Sequence, residues 1–379
     1  MALSTIKTAS IADDAITADK IINDGNLGNR NLIINGSMQV AQRGTSSTSS
    51  GYQTVDRFNI GSLGATITQS QESLTSGSPH DEGFNYFFRM TNTTAGSNAA
   101  TDFVGLYHIL EAQNVRSTSW NYASSSSYLS LQFWARSSVA GTYYTQIITY
   151  DGTQRGYNHP LVLAANTWTK FTLTIPGDSS IQIDNNNGQG LMVGFVPYYG
   201  TDYTSSSLNT NEWYNHSASP QAPDFAQNWM ATTSATFDVT GVQLEVGEQA
   251  TPFEHRSYGD ELARCQRYYV RYPNIDDASA TMYYTQGMIY GTSVIYYTLT
   301  LPVPMREQPD LTISNAAHFQ SVDSGTIRNL TNLTLLGDAF IDNKVVSLQG
   351  TGAGMTAHRP SILRGDGTAG SYFAFYAEL

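Results

Sequence analysis

Between residues 31 and 256 the chain breaks into short strand-like runs at close intervals, and this spacing constrains the fold more than any other feature. Candidate strands fall at 57–60, 65–69, 85–90, 103–109, 128–136, 143–150, 168–175, 191–197 and 235–244. Between them lie TNTTAGSNAAT, ASSSS, PGDSS and DNNNGQG, stretches rich in residues that favour turns over helices. Many short strands between such turns predict a sandwich of two packed sheets. The opening run, Leu32, Ile33 and Ile34, stops at Asn35-Gly36, a strong turn signal.

The surface expected for this chain is polar but weakly charged. Charged residues make up only 13 %, against roughly 25 % in ordinary soluble domains. Ser, Thr, Asn, Gly and Tyr fill the gap, as suits either a β-rich extracellular protein or one that binds neutral polar ligands such as glycans. The net charge is −12, which argues against a nucleic-acid partner. The lysines are Lys7, Lys20, Lys170 and Lys344, too scattered to hold an anionic membrane. No apolar run approaches the ~20 residues of a membrane helix, so membrane insertion is not expected. Residues 1–21 have no long apolar core and carry adjacent acids, Asp13 and Asp14, unlike a secretory leader. Cys265 is the only cysteine, so no disulfide forms within one chain, and burial is its expected fate.

Three segments follow. Residues 1–30 place Ile6, Ile11, Ile16 and Ile21 at a period of five, which fits neither a strand nor a heptad helix. Residues 31–256 form the first β domain. Residues 257–379 begin with a charged helix over 258–268, capped by Ser257, with Asp260 and Glu261 in its first turn and Arg264 and Arg267 at its end. Strands are expected after it near 281–290, 293–301, 311–314, 327–336, 344–349 and 372–379. The whole reads as all-β: a jelly-roll sandwich, a short helix and a second, smaller β-sandwich, behind an extended N-terminal segment.

The segment from Gln243 to Tyr269 closely resembles a junction in phage tail fibre and receptor-binding proteins, especially those of cyanobacterial and other aquatic phages. SIADDAITADKI resembles the short repeats that begin many tail fibre proteins, and SYFAFYAEL resembles the terminus of the same group. NLIINGSM, SLQFWARSS, WTKFTLTIP, LMVGFVP and FDVTGVQLE, in that order, resemble jelly-roll carbohydrate-binding modules. In that fold the first and last strands often lie together, which pairs NLIING with VQLEVG. The resemblance implies a virion adhesin, assembled in the host cytoplasm as a homotrimer. Residues 1–30 would dock to a tail or baseplate protein, and residues 257–379 would meet a host surface polysaccharide or receptor. A head fibre, collar or decoration protein built from the same modules is the structural alternative, and a glycan-cleaving tail enzyme the catalytic one.

Catalytic patterns are not found. There is no HExxH, GxSxG or GxxxxGK[ST]. Adjacent residues of a strand point to opposite faces, so His80-Asp81-Glu82 is a poor shared metal site there. The oxygen-rich run 184–187 lacks EF-hand spacing. Jelly-roll modules often carry a structural calcium, whose ligands are not matched residue by residue in this sequence; a structural calcium stays open, and no other cofactor is expected. Binding is the better expectation, because sugar CH faces pack on aromatic rings while hydroxyls need amide and carboxylate partners. The long loop 198–231 offers both: Trp213, Tyr214 and Tyr203 with Asn209, Asn211, Glu212 and Asp202. Trp120 and Tyr122, beside a serine run, form a second candidate. In each place the rings have another reading, as anchors in the core or a subunit contact. Trp134 and Trp168 are expected in the core. In the last segment, loops 276–280, 318–324 and 350–359 are candidates for the receptor tip.

Overall fold

A computed structural model describes residues 29–273, 281–336 and 343–379. The N-terminal repeats and the loop 276–280 lie outside the described residues. The chain forms two compact units. Among the described residues one comprises 29–38, 48–50 and 60–256; the other comprises 39–47, 51–59, 257–273, 281–336 and 343–379. Two pieces of the sequence-expected first domain thus belong with the C-terminal unit.

The first unit is built from β1 (Asn59–Leu63), β2 (Thr66–Ser73), β3 (Tyr86–Thr94), β4 (Phe103–Glu111), β5 (Tyr128–Ser137), β6 (Gly141–Thr149), β7 (Arg155–Leu163), β8 (Thr169–Pro176), β9 (Gln189–Tyr199), β10 (Trp213–Asn215) and β11 (Thr236–Val246). One sheet runs β2-β3-β11-β5-β8, the other β10-β7-β6-β9-β4-β1. Period-two alternation sends Phe133 of β5 and Phe195 of β9 inward, where their rings meet at 4.8 Å. Tyr143 of β6 and Phe237 of β11 meet likewise at 5.2 Å. Edge-to-face pairs of this kind fill the space between the sheets.

The opening run lies against the last strand as expected, though as a turn rather than a strand. Leu32 N–H donates to Leu244 O at 2.8 Å and Val242 N–H donates to Gly36 O at 2.9 Å. Asn31 bridges the same strand, its Nδ2 donating to Val242 O and its Oδ1 accepting from Leu244 N. Gly36 is required by space: a Cβ there would sit 2.0 Å from Val242 O.

The second unit opens with a helix over Tyr258–Gln266, whose Ser257 cap accepts from Asp260 N. Cys265 is fully buried on it, and burial pushes its thiol well above the ordinary range. The strands that follow are β12 (Tyr269–Pro273), β13 (Tyr283–Ile289), β14 (Val294–Thr300), β15 (Asp310–Ile313), β16 (Phe319–Asp323), β17 (Thr326–Leu335), β18 (Val345–Gly352), β19 (Pro360–Gly365) and β20 (Tyr372–Tyr376). Three form a small sheet, β12-β20-β15. The other six close into a barrel, β13-β14-β18-β17-β16-β19, in place of two open facing sheets. Closure comes from β13 and β19, where Gly287 lies opposite Ser361 and Met288 opposite Pro360. Register breaks at Tyr283/Thr285 and Leu330/Asn332 supply the local bending that closure needs. Tyr297, Phe319, Leu330, Val346, Leu348 and Leu363 fill the interior.

Candidate functional site

The sequence places its main candidates on the loop that follows β9. Because Phe195 and Tyr143 face the core, Gly194, Val196, Tyr144 and Gln146 face away from it. Tyr107 and Asn158 lie opposite Gly194 and Gln146 and share that outer face. The loop folds over this face and covers it. Its Tyr203, Ala222 and Phe225 pack on Val196, Tyr199 and Phe103.

Beneath the loop runs a chain of polar groups. Tyr107 and Tyr199 share a hydroxyl hydrogen bond at 2.9 Å, Tyr199 donates to Gln146 Oε1 at 3.2 Å, and Gln146 Nε2 donates to Asn158 Oδ1 at 3.0 Å. The backbone oxygen of Gln221 accepts from Gln146 Nε2 at 2.7 Å, Asn158 Nδ2 at 3.1 Å and Tyr214 Oη at 2.6 Å. Burial pushes Tyr107 and Tyr214 up to about 12, so both stay neutral partners. The Tyr214 ring lies where any Cβ on Gly156 would sit, at 2.4 Å. Tyr203 and Tyr214 are therefore fastenings of the loop, with their rings spent on the fold.

Trp213 covers the end of the sandwich. Its Nε1 donates to Pro176 O at 2.6 Å, and its ring rests 5.4 Å from Tyr157. Asn211 N–H donates to Asn158 O at 2.8 Å, its side chain meets the His159 ring, and Glu212 accepts from Asn209 Nδ2 at 2.6 Å. Burial lowers the His159 pKa, so the ring is neutral at pH 7. Trp120 is 4 % exposed and donates to Ser127 O, leaving no ring face open. Tyr122 leans on Trp120 at 6.0 Å. Its backbone oxygen accepts from Asp178 N, so Tyr122 and Trp213 both touch the turn at 176–178. The structure brings the loop candidates together as a fastening with a polar rim of Asn209, Asn211 and Glu212, and forms no open aromatic cleft from them.

An open groove lies elsewhere on this unit, over the outer face of the other sheet. It encloses about 640 Å³ and is lined by Glu82, Gln132, Lys170, Thr172, Phe253 and His255 among others. Phe253 lines it, and the Phe253 ring packs at 4.8 Å on Phe84, part of a buried cluster with Phe87 and Trp134. Lys170 Nζ donates to both Glu82 oxygens at 2.9 Å, and Trp134 Nε1 donates to Glu82 Oε2 at 3.1 Å. No sequence motif announces this groove, because Glu82, Lys170 and His255 are far apart along the chain. Trp134 is expected in the core and is indeed only 8 % exposed.

Among the described residues no three His, Cys, Asp or Glu side chains converge on one point. In the 184–187 run, Asn186 Oδ1 accepts from Gly188 N and Asp184 N–H donates to Asp151, contacts that shape a turn. No helix among the described residues is long and apolar enough to cross a membrane.

No protein-family model and no curated protein matches the chain. Among solved structures, the enzymatically active domain of tailspike protein 4 of bacteriophage CBA120 is 14 % identical, with a TM-score of 0.32 over 57 % of this chain and 21 % of that one. A family 11 carbohydrate-binding module of a Clostridium thermocellum cellulase is 12 % identical, with a TM-score of 0.27 over 56 % and 98 %. A cyclase from Fischerella sp. TAU is 10 % identical, with a TM-score of 0.34 over 58 % and 98 %. Likeness at this level assigns no activity.

Proposed function

We propose that this protein is a non-catalytic attachment protein of a phage tail that holds the particle to a host surface glycan. The observation that carries the binding part is the groove around Phe253: a phenyl ring beside Ala250 and Pro252, a rim of amide, hydroxyl and ammonium groups, and a carboxylate already engaged. Sugar rings need such an apolar face and such a rim. Hydrolysis needs two carboxyl groups facing each other across a cleft, one of them able to give up a proton. Glu82 is the only acid among the groove's lining residues, and two donors hold its carboxylate. The tail location and a trimeric assembly rest on the resemblance of the 243–269 junction, the N-terminal repeats and the C-terminus. Three grooves on one trimer would raise avidity while each contact stays weak and reversible.

The test is titration of the purified protein with surface polysaccharide from cells that the phage infects. Saturable binding is expected, changing little between low and physiological salt because Glu82 already neutralises Lys170. Thr172 is exposed on β8, and Thr172→Trp should fill the groove, weaken binding about tenfold or more, a loss of at least ~1.4 kcal/mol, and leave the melting temperature unchanged. Reducing ends released during incubation would make the protein an enzyme instead. Binding untouched by Thr172→Trp would remove this groove from consideration as the site.

A further inference from the structure

We infer that the C-terminal unit carries a second carbohydrate site, a tyrosine-lined groove that takes a neutral pyranose. The inference rests on the reading of the chain as a glycan binder, but on different residues of a different unit. The groove lies over the sheet β12-β20-β15 and encloses about 590 Å³. Along β20 the alternation is strict: Phe373 and Phe375 enter the core, while Tyr372, Ala374 and Tyr376 share the other face. Tyr269 lies directly opposite Tyr376 on β12 and adds its ring to the same face. Tyr376 is 39 % exposed although it stands on the central strand, where a large side chain would ordinarily be covered. Among the described residues no ring or guanidinium stacks on it, so its face is free to receive a sugar.

The rest of the lining supplies the polar partners a sugar needs. Tyr52, Gln53, Arg43 and Glu378 contribute hydroxyl, amide, guanidinium and carboxylate groups, and Thr312 adds a hydroxyl from β15. The charged groups and two of the tyrosines are held in place before any ligand arrives. Arg43 stacks over Tyr269 at 3.5 Å and pairs with Glu378 at 2.9 Å, and Arg271 stacks over Tyr372 at 4.4 Å. Preorganisation of this sort reduces the cost of ordering side chains on binding. It also sets the ligand class. Glu378 and Asp56, at 2.9 and 3.6 Å from Arg43, offset the guanidinium charge, so the groove selects on ring face and hydroxyl pattern rather than on an acidic group.

Saturation-transfer NMR on the full chain tests this with methyl glycosides of glucose, galactose, mannose and N-acetylglucosamine, and with methyl glucuronide. At least one neutral glycoside should receive saturation and lose affinity tenfold or more in Tyr376→Ala. Tyr376→Phe, which keeps the ring, should retain most of it. Equal melting temperatures for the variants and the parent would show that the unit is intact. Thr172→Trp should leave this signal unchanged, so the site stands even if the first groove proves empty. The inference is overturned if no glycoside signal depends on Tyr376, if Thr172→Trp removes the same signal, or if the glucuronide binds tenfold tighter than every neutral sugar.

Discussion

Arg57→Ala is expected to remove about 3 kcal/mol from the stability of the C-terminal unit, because it deletes one of the two guanidiniums that pair with the buried Glu378 carboxylate and leaves Arg43 to hold it alone. Arg57 is 1 % exposed, its guanidinium lies 3.5 Å over the Tyr268 ring, and it pairs with the Glu378 carboxylate. Its partner comes from the far end of the chain. The segments 39–47 and 51–59 are thereby tied to the C-terminus by Arg57, by Arg43 and by the Tyr52 hydroxyl on Leu379 O at 3.2 Å. Calorimetry should show one of two transitions moving down while the other stays. The double replacement Arg57→Met with Glu378→Leu removes both charges at similar volume but also takes Glu378 from Arg43, which keeps Asp56 at 3.6 Å, so it should recover part of the loss. A single variant as stable as the parent would mean that these segments do not hold the unit together. By the same logic, a fragment beginning at residue 257 lacks Arg43, Asp56 and Arg57 and leaves Glu378 unpaired.

The second large effect is one of pH. Asp56 is 1 % exposed, and burial pushes its carboxyl up from 3.8 to about 6, against the opposing pull of Arg43. The folded state therefore holds a proton that the unfolded chain releases sooner. Its stabilising contribution is complete below the unfolded value of about 4 and is lost as pH rises through about 6. A rise of that size in a carboxyl pKa corresponds to about 3 kcal/mol. The difference in stability between the parent and Asp56→Asn, followed in the C-terminal transition from pH 4 to 7, should change by that order in the direction of the variant. Parallel curves for the two proteins would show that Asp56 does not titrate in this window.

The parts of the fold set by local pattern are the parts legible in the sequence. Strands such as Tyr128–Ser137 and Gln189–Tyr199 are apolar, bounded by turn residues, and stand out as runs. Arg155–Leu163 does not, because Gly156, Asn158 and Pro160 interrupt its pattern. The structure explains why the proline is tolerated: β10 pairs only with Arg155, Gly156 and Tyr157, so at Pro160 the strand is a sheet edge. Barrel closure is illegible for another reason. The pairing of β13 with β19 joins residues more than seventy positions apart, and no local signal separates a closing strand from an edge strand. The tyrosine groove combines both difficulties. SYFAFYAEL reads as a strand, but Tyr376 gains its neighbours from residues near 50 and near 270. The loop 198–231 is conspicuous in its length and aromatic content. Whether its rings face a ligand or the sheet beneath depends on Gly156 and Gly194, which leave room for Tyr214 and Tyr107 to lie flat.

Cryo-electron microscopy of the intact particle addresses the attachment reading most directly. Three copies are expected at the tail, with residues 1–30 inward at the tail or baseplate and the 257–379 unit pointing outward with its tyrosine groove accessible. Density for this chain on the capsid or collar, or a C-terminal unit buried against other tail proteins, would contradict that reading and leave a structural component of the particle.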